Sequence, residues 1–219
     1  NLGLNILNSK NKKLINSGCI NLIECNIHNN SQMNMVVSQQ GINTARSDIN
    51  VNLLEEKSQF HFNGVYFGRE SHHNDITTSI NHISPDCVSN QTVRGILDDK
   101  SVGVYQGGIK VFQNAQKTDG QQMSRVLLLS KLAESNTKPA LEIFADDVSC
   151  SHGATIGELD KNQLFYLLSR GIDENEAKKI LINAYLNELI GEINHLDLSD
   201  LVEKASNYWL KQNDMYVDS

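Results

Sequence analysis

Residues 48–62, DINVNLLEEKSQFHF, contain two short runs that decide the fold class of this chain. In residues 48–53 and again in residues 59–62, polar and apolar side chains alternate with a period of two. This alternation is typical of β-strands with one buried face. Similar runs recur from Glu24 to Val111, and turn-forming clusters such as residues 29–31 and 39–41 separate them. The sequence therefore predicts many short strands.

Hairpin signals are scarce among these predicted strands. Asn-Gly and Asp-Gly pairs, which mark tight turns between antiparallel strands, are nearly absent, with Asn63-Gly64 and Asp119-Gly120 as the exceptions. Many short strands fit a sandwich, a barrel or a solenoid, and no tight sequence repeat is visible. The scarcity of hairpins favours a β-helix, in which successive coils stack their strands in parallel.

The pattern changes to helical spacing after Asp160. Asp160 with Gln163, and Asp173 with Glu176, have the spacing of capping boxes at the starts of two helices. The first helix should end at Gly171, and a third helix is predicted from residue 199 to about residue 212. The chain is therefore predicted to contain a β-helix core domain at residues 1–158 and a C-terminal helical domain at residues 159–219.

Composition excludes several classes of function. The net charge of -7 argues against nucleic acid as a partner, because phosphate binding needs a basic face. No apolar run approaches the roughly 20 residues that span a bilayer. The four cysteines lack the density of a secreted disulfide scaffold, which favours a reducing compartment. No phosphate-binding loop of the form GxxxxGK[ST] is present, so we assign any nucleotide hydrolysis to a partner.

Residues 138–157, KPALEIFADDVSCSHGATIG, carry the candidate site. Cys150 and His152 are two residues apart, so an extended backbone would direct both side chains to one side. A thiolate and an imidazole suit zinc or iron chemistry, but two ligands are only half of a tetrahedral site. The remaining ligands must come from elsewhere.

Each of these residues also has a simpler interpretation. His152 could be a surface hydrogen-bonding group, and Cys150 a small buried hydrophobic residue. Asp146 and Asp147 could be the paired acid and base of a β-helix carbohydrate-active enzyme, although turn formation is the more ordinary role of such residues. His72-His73 with Asp75 resembles a ligand cluster, but we expect a solvated loop there, because adjacent residues of an extended chain point to opposite faces.

Four segments of this chain resemble a known family. They are GILDDKSVGVYQGGIKV from Gly95, AQKTDGQQ from Ala115, LLLSKLAESNTKPALEIFADDVSCSHGATIG from Leu127 and LFYLLSRGI from Leu164. Together they look like the core of the SufB/SufD family, scaffold components of the SUF machinery that assembles iron–sulfur clusters. Within the family, the form ADDVxCSHGATxG is similar to the SufD branch. Several long motifs in one order make chance a poor explanation.

The resemblance implies a fold and a set of partners. The fold would be a right-handed parallel β-helix followed by a helical domain. The chain would pair with a SufB-like paralogue through the β-helix ends, and a SufC-like ATPase would dock on the helical domain. The resemblance also implies a non-catalytic subunit of the bacterial cytoplasm, or of the plastid stroma if it is encoded there or imported.

The resemblance also assigns roles to residues. His152, with Cys150, would lie at the SufB interface and hold a transient iron–sulfur cluster that both subunits share. We expect the SufC contact near Leu164, Phe165, Arg170 and Gly171. No cofactor is expected in the isolated chain, reduced flavin in the assembled complex is a minor alternative, and a homodimer is plausible when the partner is missing. A purely structural interaction module without metal chemistry remains the second interpretation.

Overall fold

The computed structural model describes residues 18–193 and 195–212. In these residues ten strands precede three helices. The strands are β1 (Gly18–Ile27), β2 (Gln32–Gln39), β3 (Thr44–Leu53), β4 (Gln59–Gly68), β5 (His73–His82), β6 (Val88–Leu97), β7 (Val102–Val111), β8 (Thr118–Leu128), β9 (Glu134–Ile143) and β10 (Val148–Glu158). The helices are α1 (Lys161–Ser169), α2 (Glu174–Glu192) and α3 (Leu196–Gln212).

The strands form two parallel sheets that together make a solenoid. Odd-numbered strands pair in the order β1-β3-β5-β7-β9, and even-numbered strands in the order β10-β8-β6-β4-β2. Successive strands therefore alternate between the sheets, and each turn of the solenoid contributes one strand to each, giving about five turns. The predicted parallel β-helix is confirmed. Asn63-Gly64 and Asp119-Gly120 lie inside β4 and β8 and form no hairpin.

Variable turn lengths explain why the sequence shows no tight repeat. Residues paired between successive turns are 26 positions apart at Gly18 and Thr44, but 32 positions apart at Val102 and Glu134. The strands stay in register because the loops that connect them differ in length. Structural repetition therefore exists here without a fixed sequence period.

The loops between the strands extend the backbone hydrogen-bond ladder from one turn of the solenoid to the next. The amide of Lys57 donates to the carbonyl of Pro85 at 3.4 Å, and the amide of Asp86 donates to the carbonyl of Gln116 at 2.9 Å. Both donors have positive φ, an uncommon conformation for residues other than glycine. Four other non-glycine residues share it, namely Asn30, Glu70, Asp99 and Lys117.

The first two helices begin where the capping signals predict. The Asp160 side chain accepts hydrogen bonds from the amides of Asn162 (2.8 Å) and Gln163 (3.2 Å), and Asp173 caps α2 in the same way. The prediction that α3 begins at residue 199 is wrong, because it begins at Leu196. The Ser199 hydroxyl donates to the carbonyl of Leu196 at 2.8 Å, so it lies within the first helical turn.

Helices α2 and α3 pack on the outer side of the even-numbered sheet. Their apolar residues share one cluster with residues of β4, β6 and β8; its buried members include Val65, Phe67, Ile96, Leu127, Ile182, Leu186, Leu189, Val202, Trp209 and Leu210. The division into domains at residues 1–158 and 159–219 stays a prediction. The first 17 and last seven of those residues lie outside the described part of the chain. Within residues 18–193 and 195–212, no helix is long and apolar enough to cross a membrane.

Candidate functional site

Strand β10 carries Cys150 and His152 at one end of the solenoid. It is the last strand of its sheet and, among the described strands, pairs only with β8. Both residues lie within its extended backbone, so their side chains project from the same face, with Cα atoms about 7 Å apart. The backbone condition for a shared site is therefore met.

Cys150 is half-buried at the edge of the solenoid interior. It packs against an apolar cluster that includes Ile109 and Ala145. Its register partner is Gly120, where a Cβ atom would lie only 3.3 Å from the Cys150 sulfur. Burial raises the pKa of the Cys150 thiol; the nearby Asp119 carboxylate adds to this shift, and the Gly120 amide opposes it. The thiol form is therefore favoured over the metal-binding thiolate.

His152 is exposed, in contrast to its neighbour on the same face. Its register partner on β8 is Gln122, which is buried. A groove of about 780 Å³ crosses the even-numbered sheet and reaches Ser151 and His152 at one end. Its other lining residues include Asn34, His61, Asn90 and Gln121. An exposed imidazole at the rim of a sheet can contact a second molecule without rearrangement.

The described residues bring together two candidate ligands but no complete metal site. In the part that the structure describes, no three His, Cys, Asp or Glu side chains are grouped so that they could hold a metal ion. His152 and Cys150 therefore offer part of a ligand set at an open edge. This arrangement suits a metal cluster that is shared with another molecule.

The residues of the other acidic and histidine motifs are engaged in structural hydrogen bonds or are buried. The backbone of Asp147 is hydrogen-bonded to the loop of the preceding solenoid turn. Its amide donates to Gln116 Oε1 at 2.9 Å, and its carbonyl accepts from the amide of Lys117. Asp146 and Asp147 lie in the turn before β10, as turn-forming residues do. The prediction of a solvated loop at His72-His73 is wrong. His72 and Asp75 are buried, and Asp75 accepts a hydrogen bond from Arg46 at 3.0 Å.

Helix α1 carries an exposed apolar surface near the end of the solenoid. None of its residues is buried, and Phe165 and Tyr166 are 72% and 56% exposed. The guanidinium of Arg170 lies 5.1 Å from the centre of the Tyr166 ring. Gly171 follows with φ of +83°, which ends the helix. We name Leu164, Phe165, Tyr166, Leu168 and Arg170 the α1 patch.

Sequence reasoning missed several residues that make long-range contacts. Gln122 and Tyr105 meet inside the solenoid, and Arg94 joins α2 to the sheet. Gln122 follows Gly120 at a spacing of two, so the alternation in β8 places it on the inward face. That alternation was the available signal, but it does not show which distant residues the Gln122 side chain contacts.

Comparison with known proteins decides the family. The family model described as SUF system FeS cluster assembly, SufBD core domain, matches residues 10–185. This chain belongs to the SufBD core family. It is SufD-like, being 43% identical over 144 residues to the iron–sulfur cluster assembly protein SufD of Escherichia coli. That alignment covers 66% of this chain and 34% of the relative.

Two further relatives agree with this assignment. An iron–sulfur cluster assembly SufBD family protein of Synechocystis is 36% identical over 165 residues, which cover 74% of this chain and 36% of the relative. Protein ABCI7, chloroplastic, of Arabidopsis thaliana is 43% identical over 97 residues, which cover 44% of this chain and 20% of the relative. The chain thus spans about a third of the length of the two bacterial relatives.

Proposed function

We propose that this chain is a scaffold subunit of the SUF system that holds a nascent iron–sulfur cluster together with a partner subunit. The observation that carries the proposal is the position of Cys150 and His152 on β10, the terminal strand of a SufBD core β-helix. A scaffold must release the cluster that it builds. Ligands at an open edge, divided between two chains, allow release when the chains separate.

The end of the solenoid is suited to pairing with a SufB-like paralogue. Strands β9 and β10 end their sheets, and among the described strands each pairs on one side only. Such edges present free backbone amides and carbonyls to a partner strand. Phe144 and Ile156 nearby are 59% and 48% exposed, which supplies apolar contact area. A paralogue with the same fold fits a pseudo-twofold arrangement, and a second copy of this chain could take its place in isolation.

His152 is the proposed ligand from this chain to the cluster, which is cargo. A neutral imidazole binds iron well, and replacing a thiolate by an imidazole makes the site less negative. The partner would supply thiolate ligands. Cys150 is the second candidate ligand, and it would have to lose its proton despite a raised pKa.

The remaining roles belong to the assembled complex. ATP hydrolysis is assigned to a SufC-like ATPase that docks at the α1 patch beside Gly171, so this subunit is itself non-catalytic. Reduced flavin, if the complex uses it, would also be held by the assembly. The relatives from bacteria and from a chloroplast favour the cytoplasm or the plastid stroma as its location.

The test is co-expression of the full-length protein with its SufB-like and SufC-like partners, followed by anaerobic measurement of iron and acid-labile sulfide. We expect the His152→Ala protein to form the complex but to retain about a tenth or less of the wild-type cluster content, because a direct ligand is lost. Ser151→Ala is the matched control, since Ser151 precedes His152 on the opposite face of β10. An unchanged cluster content in His152→Ala would refute the proposal and favour a purely structural subunit.

A further inference from the structure

Acidic charge is concentrated in the last turn of the solenoid. This turn comprises residues 134–158, which include β9, β10 and the loop between them, and it contains five carboxylate side chains and one lysine. With histidine neutral, its net charge of -4 is more than half of the -7 of the whole chain. The turn before it, residues 102–128, carries three basic residues and one aspartate, a net charge of +2. The negative charge therefore lies at the end where, among the described strands, β9 and β10 each pair on one side only.

Only part of this charge is neutralised within the described chain. Two of the five carboxylates have lysine partners, Glu142 at 3.3 Å and Glu158 at 3.7 Å. The other three, those of Glu134, Asp146 and Asp147, belong to exposed residues and form no ion pair with any residue that the structure describes. These three charges are available to another molecule.

Exposed apolar side chains lie beside these charges. Ile143 and Phe144 are 40% and 59% exposed and come directly before the two aspartates in the loop, and Ile156 of β10 is 48% exposed. Clustered apolar area at an open sheet edge is typical of an interaction surface. We name Ile143, Phe144, Asp146, Asp147 and Ile156 the end patch. It combines apolar area and negative charge with unpaired strand edges.

We infer that the end patch selects a paralogue whose last turn is basic and disfavours a second copy of this chain. In a twofold homodimer a surface meets itself, so one acidic last turn would face another. Like charges across an interface weaken association, whereas complementary charges strengthen it and speed the encounter. A shared fold makes the strand edges compatible, and charge then decides which chain of that fold binds. The inference rests on the proposed pairing through the solenoid end, but not on the role of His152.

The salt dependence of pairing tests the inference with wild-type proteins. The full-length chain is studied alone and mixed with its full-length SufB-like paralogue, without cluster, by analytical ultracentrifugation at about 50 mM and about 500 mM NaCl. Because salt screens exposed charges, the Kd of the heteromeric pair should rise about fivefold or more, whereas the homodimer should be weaker at low salt than at high salt. A heteromeric Kd that does not rise with salt would overturn the inference, as would a homodimer that is tighter than the heteromeric pair at low salt.

Removal of the two loop charges tests the end patch itself. The double change Asp146→Asn and Asp147→Asn keeps residues that suit a turn. It should raise the heteromeric Kd about fivefold at low salt, reduce its salt dependence and strengthen the homodimer.

Glu55→Gln with Glu56→Gln is the matched control. These adjacent acidic residues are exposed in the loop between β3 and β4, three turns or about 14 Å from the last turn. That distance exceeds the Debye length of about 10 Å at 0.1 M salt, so both Kd values should stay unchanged. Equal effects of the two double changes would indicate a general effect of net charge and would overturn the assignment to the end patch.

The cluster content of the complex separates this inference from the proposed function. Salt-dependent heteromeric pairing together with unchanged cluster in the His152→Ala protein would refute the proposed cluster role and leave the charge selection standing. Salt-independent pairing together with cluster loss in the His152→Ala protein would do the reverse.

Discussion

At the scale of single residues, Cys150 and His152 share one strand face but not one environment. Cys150 packs against apolar side chains of the solenoid interior, whereas His152 lies at the exposed rim. Because burial raises the pKa of the Cys150 thiol, the thiolate forms only at higher pH than in a free cysteine. The two candidate ligands therefore differ in how ready they are to bind iron.

This difference predicts the reactivity of Cys150. Since the thiolate is the nucleophile, alkylation of Cys150 by iodoacetamide at pH 7 should be several-fold slower than in the urea-unfolded chain, and its rate should go on rising with pH after the rate in the unfolded chain has levelled off. Peptide-level mass spectrometry measures the rate at each pH. Buried Cys87 is an internal control for folding and should stay unreactive. Rapid alkylation of Cys150 at pH 7 in the folded chain would contradict the assigned environment.

At the scale of secondary structure elements, α2 is tied to the β-helix by charged groups. Arg94 of β6 has a side chain only 2% exposed and forms ion pairs with Glu188 at 3.1 Å and Glu192 at 3.5 Å. Its guanidinium also lies 5.1 Å from the centre of the Tyr185 ring. The two glutamates are 58% and 47% exposed, so the positive partner is buried and the negative partners are hydrated.

This asymmetry predicts which change costs more. Arg94→Met leaves two hydrated carboxylates and fills the site, so we expect a loss of about 1 kcal/mol or less in the free energy of unfolding. The double change Glu188→Gln and Glu192→Gln leaves a buried guanidinium without a counter-charge, and we expect a loss of about 3 kcal/mol. Urea unfolding followed by circular dichroism measures both.

Arg125→Met is the control for these charge changes. Arg125 is 43% exposed and pairs with Glu188 at 3.1 Å, so its replacement should cost less than about 1 kcal/mol. If Arg94→Met were the more destabilising change, the packing of the arginine side chain, rather than its charge balance, would hold α2 in place.

At the scale of the whole molecule, the sequence predicted the architecture better than the contacts between distant elements. Period-two alternation predicted the strands, scarce hairpin signals favoured a β-helix over a sandwich or barrel, and Asp160 and Asp173 marked two helix starts. The burial of His72 could not be predicted, since it depends on which turns stack beside it. The same holds for Gln122, whose partner Tyr105 is 17 positions away along the chain. Alternation assigns a residue to a face, but long-range packing decides what it meets there.

Helix α1 differs from the other two helices in where its apolar residues lie. It has no buried residue, while α2 and α3 fill the outer side of the even-numbered sheet. A surface helix that keeps Phe165, Tyr166 and Leu168 exposed has an apolar face available to a partner. This is the physical basis for assigning the SufC-like ATPase to the α1 patch.

Phe165→Glu tests that assignment. Phe165 is 72% exposed, so the substitution should change the free energy of unfolding by less than about 0.5 kcal/mol. If Phe165 anchors the interface, the Kd for the SufC-like ATPase should rise about 30-fold or more, as loss of a central aromatic contact does. Leu196→Glu is the matched control, because Leu196 is 87% exposed but belongs to α3. Equal weakening by both substitutions would indicate a non-specific charge effect, and an unchanged Kd in Phe165→Glu would place the ATPase on another surface.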